Sequence, residues 1–309
     1  YLERLNYRVE RQHVKDNRFN VFAMTDAPQR IVFSTHIDTV PPFIESREDA
    51  DYIYGRGSCD AKGIIACQIF AAEKLRAEGF DEFGLLFTVD EELASAGARL
   101  ANLHPTASEN RFLINGEPTE NMLALGTKGS MRIMISTRGQ SAHSAYPEAG
   151  ESAIETLLDI LNDIRAIDWP SDSLFGPTTC NIGVINGGTR PNVIPDHASA
   201  EVQIRLTKDT ESIRRLVAEA IDGRAEMTCS SAHNPVRLMQ VTGFKQAVMR
   251  FTTDIPYLTN WGTPLLIGPG SILDAHTDHE RVLKNELVEA VDLYVKLAVE
   301  VGAQLQNAD

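Results

Sequence analysis

Three times in the first 120 residues a short apolar run ends in residues able to bind a cation or move a proton, and this recurrence restricts the fold more than any other feature of the chain. Ile31-Val32-Phe33 leads into Ser34-Thr35-His36-Ile37-Asp38. Leu85-Leu86-Phe87-Thr88-Val89 leads into Asp90-Glu91-Glu92, and Phe112-Leu113-Ile114 into Asn115-Gly116-Glu117. Apolar runs of this length bounded by polar residues read as buried strands, and α/β sheets hold their ligands at the carboxyl ends of strands. Each run therefore predicts a strand that delivers its polar tail to one end of a mostly parallel sheet. His36 and Asp38, two residues apart, share a face there, so the Asp38 carboxylate is placed to orient the imidazole.

Two further segments carry groups of the same kind. Gly55-Arg56-Gly57-Ser58-Cys59-Asp60-Ala61-Lys62-Gly63 is a glycine-rich turn feeding a helix expected over 63–78. It lacks the Gly-Lys-Ser/Thr ending of a phosphate loop and does not fit the dinucleotide fingerprint, which leaves Asp60 either aimed into a cleft or serving as a helix cap. His276 stands in Gly268-Pro269-Gly270-Ser271-Ile272-Leu273-Asp274-Ala275-His276-Thr277-Asp278-His279-Glu280, ahead of the last helix. Alone, Glu117 would be a loop acid and His276 a cap or surface residue. Together, His36, Asp60, Glu91, Glu92, Glu117 and His276 read as a two-metal hydrolytic centre, since cations would offset the repulsion among the acids and a carboxylate left off the metal could act as general base.

Composition excludes much of what competes with this. With 29 Lys and Arg against 43 Asp and Glu, the net charge of −14 argues against a nucleic-acid or anionic-membrane surface. No apolar stretch approaches the ~20 residues of a membrane span, and no basic-apolar leader opens the chain, so the cytoplasm is the expected compartment. Cys59, Cys67, Cys180 and Cys229 lack the density of a disulfide framework and are expected to be free thiols, with Cys67 and Cys180 in the core. Tyr1-Leu2-Glu3-Arg4-Leu5 reads as the tail of an amino-terminal helix that is incomplete here.

From about Thr127 the pattern changes. Strand (131–137), helix (152–165), strands (179–185 and 198–206), helix (211–221) and a short strand near Met227 spell βαββαβ, a ferredoxin-like module. Both helices carry apolar stripes, Ile154, Leu157, Leu158 and Leu161 in one and Ile213, Leu216, Val217, Ala220 and Ile221 in the other. After Arg237 the α/β character returns, with a helix expected around 243–251, a strand at 265–267 and an amphipathic helix from Val282 to about Val301. The fold expected is α/β, with one domain over 1–126 and 238–309 interrupted by an inserted ferredoxin-like module over 127–237.

The order His-x-Asp, Gly-Arg-Gly-x-x-Asp-x-Lys-Gly, Asp-Glu-Glu, Gly-Glu-Pro and a terminal histidine resembles the dinuclear zinc family of acetylornithine deacetylase, succinyl-diaminopimelate desuccinylase, carboxypeptidase G and aminoacylase. The likeness spans nearly the whole chain, and it implies that the outer domain is a zinc-peptidase-like catalytic domain and the inserted module a lid and dimerisation domain. It implies two Zn²⁺ (Co²⁺ or Mn²⁺ substituting) bridged by Asp60, with His36 and Glu117 completing one site and Glu92 and His276 the other. It also implies a bridging water, Glu91 as general base, Asp38 behind His36, and a cis peptide after Asp60. In the inserted module it implies that His143 reaches the active site of the opposite subunit of a homodimer, and that Asn192 and Arg205 recognise substrate. Gly268-Pro269-Gly270-Ser271 followed by Ala275-His276 is most similar to the acetylornithine deacetylase branch, where Gly270 and Ser271 would lie beside the substrate carboxylate with backbone amides free for it. The departure is His279 between Asp278 and Glu280, which makes His279 a rival to His276.

The implied activity is hydrolysis of the amide bond of an N-acyl amino acid, N-acetylornithine or a close relative. The alternatives are a succinyl-diaminopimelate desuccinylase, a carboxypeptidase or dipeptidase, and, from a different class, a metal-binding homologue that captures its ligand without turnover. The presence of Glu91 favours an enzyme.

Overall fold

The computed structural model describes residues 1–306, which fall into two compact units. The first comprises Tyr1–Leu125, Leu238–Ala247 and the residues from Thr253 on; the second comprises Gly126–Arg237 and Val248–Thr252. Along the chain the main elements begin with β1 (Arg8–Lys15), β2 (Arg18–Met24), β3 (Ile31–His36), α1 (Lys62–Ala77), β4 (Phe83–Thr88) and β5 (Phe112–Asn115). The second unit supplies β6 (Gly129–Arg138), α2 (Ala153–Ala166), β7 (Thr179–Gly187), β8 (His197–Leu206), α3 (Thr210–Ile221) and β9 (Glu226–His233). The first unit resumes with β10 (Thr263–Leu266) and α4 (Lys284–Gln306). No described helix is long and apolar enough to cross a membrane.

The first unit is built on a six-stranded sheet in the order β1-β2-β4-β3-β5-β10. Strands β4, β3, β5 and β10 run parallel, while the β1–β2 hairpin is antiparallel and joins β4 through β2. Every residue of β3, β4 and β5 is buried, so these strands read as continuous apolar runs because both faces of the sheet are covered. Helices α1 and α4 cover one of these faces: Ile64, Cys67, Ala71, Ala72 and Leu75 from one and Tyr294, Leu297, Ala298 and Val301 from the other join Ile31, Phe33, Phe83 and Leu85 in one core. Each fully buried large apolar side chain stabilises the fold by roughly 1.5–3 kcal/mol.

In the second unit the sheet order is β7-β8-β6-β9, antiparallel throughout, with α2 and α3 in the βαββαβ sequence of the ferredoxin-like module. Burial alternates along β6 and β8, and Met131, Ile133, Ile135, Val202 and Ile204 meet Leu157, Ile160, Ile164, Ile213 and Val217. Ser152 caps α2 by accepting from the Glu155 N–H, and Asp209 caps α3 by accepting from the Ser212 N–H.

Several local expectations fail. The segment 243–251 is not a helix: Gly243 takes φ 83°, and Gln246–Met249 is a strand. Phe244, Val248 and Phe251 have helical spacing, yet the backbone pairs extended, with the Lys245 carbonyl accepting from the Leu123 N–H at 2.8 Å. Pairing partners distant in sequence outweigh a weak local propensity. The last helix begins at Lys284, because Arg281–Leu283 pairs antiparallel with Tyr52–Tyr54. Leu2–Leu5 forms a 3₁₀ turn ended by Asn6 in the left-handed region. All four cysteines are free; Cys59 and Cys67 are buried, whereas Cys180 is only half-buried.

Candidate metal centre

His36 is the last residue of β3, and its side chain is enclosed. Its Nδ1 lies 2.9 Å from the Asp38 backbone carbonyl. A carbonyl oxygen can only accept, so the proton belongs on Nδ1, and Nε2 is turned toward the acids. The Asp38 carboxylate is farther, 3.7 Å from Nδ1, and accepts instead from the Glu91 N–H at 3.3 Å. Asp38 therefore orients His36 through its main chain, while its carboxylate ties down the turn that carries Glu91. The sequence placed the orienting role on the carboxylate, because backbone acceptors leave no mark in residue type.

Asp60 is not a helix cap. The N-cap of α1 is Ala61, no side chain caps that end, and the Asp60–Ala61 peptide is cis. Gly57, at φ 88°, and Gly63, where a Cβ would fall 2.3 Å from the Ser58 carbonyl oxygen, allow the turn to fold this tightly. The two Asp60 carboxylate oxygens face different histidines: Oδ1 is 2.9 Å from His36 Nε2, and Oδ2 is 3.2 Å from His276 Nε2. Glu92 Oε1 lies 3.0 Å from the same His276 nitrogen, and Glu117 Oε2 lies 3.9 Å from His36 Nε2. His279 is exposed and turned to Asp278, so His276 is the histidine that meets the acids.

Electrostatics show which charge this cluster favours. Burial raises the pKa of Glu117 and of Glu91 well above the carboxylate range, with neighbouring acids adding to it. Burial opposes the charge on His36, but its bond to Asp60 and the charges of Glu117 and Asp60 outweigh that and raise its pKa. The bonds to Asp60 and Glu92 push His276 up to about 10. Asp60, though buried, is held below the usual range by His276 and His36. The excess of carboxylates thus favours positive charge beside them, on the imidazoles or on a bound cation. Atoms of His36, Asp60 and Glu92 lie within 4.8 Å of one another, and mixed imidazole and carboxylate donors suit a borderline divalent cation. The donor set fits a metal.

The glycine loop differs from expectation. The Gly270 N–H donates to Glu286 Oε2 at 3.0 Å, the Gly268 N–H to Thr119 Oγ1 at 2.9 Å, and Ser271 Oγ to Glu120 Oε1 at 2.9 Å. The Gly268 and Gly270 amides are already engaged, that of Gly270 by Glu286 in the first turn of α4. His143, Asn192 and Arg205 belong to the second unit. His143 pairs with Val193 across the Ala142–His143 and Val193–Ile194 bridge, and the Ser144 N–H donates to the Asn192 carbonyl at 3.1 Å, so these two are neighbours. Arg205 stands apart on β8, opposite Ser130 and Thr179, with burial and Arg132 lowering its pKa.

Three buried acids were not singled out from sequence. Asp254 accepts from Thr88 Oγ1 at 2.7 Å, and burial raises its pKa. Asp90 is salt-bridged to Lys15 at 2.5 Å and Arg18 at 3.3 Å from the β1–β2 hairpin. Glu280, the last residue of the His276 motif, accepts from the backbone of the Asp60 turn. Asp90 and Glu280 had local signals, their places in the acidic triplet and in the His276 motif; Asp254 had none.

The profile of the peptidase M20 dimerisation domain matches residues 125–228. A peptidase M20 domain-containing protein of Schizosaccharomyces pombe is 37% identical over 97% of this chain and 77% of its own length. A protein of Aspergillus terreus named probable carboxypeptidase is 39% identical over 96% of this chain and 79% of its own. Among solved structures, aminopeptidase PepT of Bacillus cereus superposes with a TM-score of 0.77 at 20% identity, covering 97% of this chain and 90% of that one. A Bacillus subtilis protein described as a dinuclear metal-binding peptidase of the M20 family gives 0.68 at 16% identity, covering 97% and 89%. The metal-fitting donors and a relative this similar along nearly all of this chain lead to one conclusion: the chain belongs to the M20 peptidase family and is a hydrolase.

Proposed function

We propose that this protein is a metal-dependent exopeptidase that cleaves dipeptides and short peptides bearing a free terminal carboxylate. The observation that carries the reading is the convergence of His36, Asp60, Glu92 and His276, with the two oxygens of Asp60 turned to different imidazoles. The carboxypeptidase name of the Aspergillus relative supports a peptide substrate over N-acetylornithine. Asp60 would be shared between two cations, His36 and Glu117 completing one position and Glu92 and His276 the other, with zinc the native ion. Two such cations supply a water of lowered pKa and polarise the scissile carbonyl.

The protein's own groups do the rest. Glu91, raised in pKa by burial, takes the proton of the attacking water and returns it to the leaving amine nitrogen. Arg205 would bind a substrate carboxylate, which a guanidinium binds bidentately, and Asn192 and Ser271 would orient the peptide. The test is a substrate panel: free dipeptides, the same dipeptides with a carboxy-terminal amide, and N-acetyl and N-succinyl amino acids. Dipeptides with a free carboxylate should be turned over at least tenfold faster than their amides. Preferential turnover of N-acetylornithine would restore the deacetylase reading.

A homodimer joined through the second unit is part of the same proposal, supported by the dimerisation-domain match and by β7, an edge strand with Val184 and Ile185 exposed. His143 would then complete the partner's oxyanion site. Mixing inactive Glu91→Gln with inactive His143→Ala protein should restore activity in hybrid dimers; confirmed subunit exchange without recovery would rule this out.

A further inference from the structure

Glu280 is fully enclosed and has no role in the mechanism above. Its Oε1 accepts from three backbone N–H groups of one turn: Gly57 at 2.9 Å, Cys59 at 3.1 Å and Asp60 at 3.0 Å. Its Oε2 accepts from Arg56 Nη1 at 2.6 Å, and its backbone carbonyl accepts from the Gly55 N–H at 3.0 Å. One residue thus holds four of the six backbone N–H groups from Gly55 to Asp60 and the Arg56 guanidinium, although more than 200 residues separate them in sequence. It also stands four residues after His276, the second histidine that Asp60 faces.

The turn needs this. Gly55 and Gly57 sit at φ 129° and 88°, where glycine is permissive and a free loop would sample many conformations. Asp60 must nevertheless present two oxygens to two imidazoles at once, a task that tolerates about 0.5 Å of misplacement. A carboxylate accepting several backbone N–H groups forms charge-assisted bonds stronger than those of a neutral acceptor. Removing its charge would weaken all of them and leave Arg56 facing an amide.

We propose that Glu280 is a positioning residue that presets the Asp60 turn and registers it with His276 before any cation arrives. This rests on the metal-binding reading of the site. A merely structural role, in which Glu280 neutralises Arg56, would lower thermal stability without altering metal affinity.

The experiment uses the full chain treated with chelator and then titrated with Zn²⁺ alone against a chromophoric competitor. Glu280→Gln should bind Zn²⁺ at least tenfold more weakly than wild type, in the range of 10- to 100-fold seen when residues supporting metal ligands are lost, with unchanged circular dichroism and elution volume. On the metal-reloaded enzyme kcat should fall more than KM changes. In chelator-treated wild type, the amides of Gly57, Cys59 and Asp60 should resist hydrogen exchange. A folded Glu280→Gln protein with wild-type Zn²⁺ affinity overturns the proposal, as do amides that exchange freely until Zn²⁺ is added. If the variant does not fold, the exchange measurement on wild type decides. Wild-type protein that binds no Zn²⁺ would instead remove the metal reading itself, while exchange still reports whether the turn is preset.

Discussion

The two units bury their strands differently, and the difference locates the chemistry. In β6 and β8 buried and exposed positions largely alternate, one face packing on helices. In β3, β4 and β5 every position is buried. A one-faced sheet exposes its polar residues along its length. A two-faced sheet forces them to its ends, where His36, the Asp90-Glu91-Glu92 turn and Glu117 collect. That enclosure turns ordinary acids into groups with shifted pKa values, as Glu91 and Glu117 show.

The comparison breaks most directly at Glu91. Glu91→Gln keeps shape and removes proton transfer, so turnover should fall by about 10²–10⁴-fold while metal content, measured by elemental analysis, stays at the wild-type level. Near-normal turnover would detach the enclosed acids from catalysis. In the second unit the counterpart is a core residue without chemistry. Ile204, unexposed on β8, should cost about 2–5 kcal/mol when changed to Ala, read from denaturant unfolding, with metal stoichiometry unchanged. A loss of metal there would mean that the two units do not divide the work as proposed.

The smallest effect expected is a pH dependence of the chelator-treated protein. His276 has its folded pKa raised to about 10 by Asp60 and Glu92, above the ~6.5 of a free histidine. Its contribution to stability is fully present below about 6.5 and is lost as pH rises through about 10. The side chain is half exposed, so solvent screening keeps the effect small. The thermal midpoint of wild type should decline over that window more than that of His276→Gln; parallel profiles would show that the histidine carries no charge there.

Much of this was legible because it depends on local pattern. The apolar runs ending in His36, Glu91-Glu92 and Glu117 are strands in the structure, and the helical stripes Leu157-Leu161 and Ile213-Val217 are core. The β1–β2 hairpin was not legible. As an edge strand, β1 is mostly polar, Arg8, Glu10, Arg11 and Gln12 among its residues, and gives little period-two signal. The 243–251 segment misled for the opposite reason, since its apolar spacing fits a helix while its partners impose a strand.

Sequence by itself determined residue chemistry, the order of most strands and helices, and the grouping of ligand types at strand ends, because each follows from neighbours a few positions apart. Tertiary structure alone decided which atoms meet: that Asp38 holds His36 by its carbonyl, that Glu286 occupies the Gly270 amide, and that Glu280 clamps the Asp60 turn. These contacts join groups through backbone donors and acceptors, which every residue type possesses. Composition cannot single them out, and only the packing of the sheet and its connecting turns chooses among them.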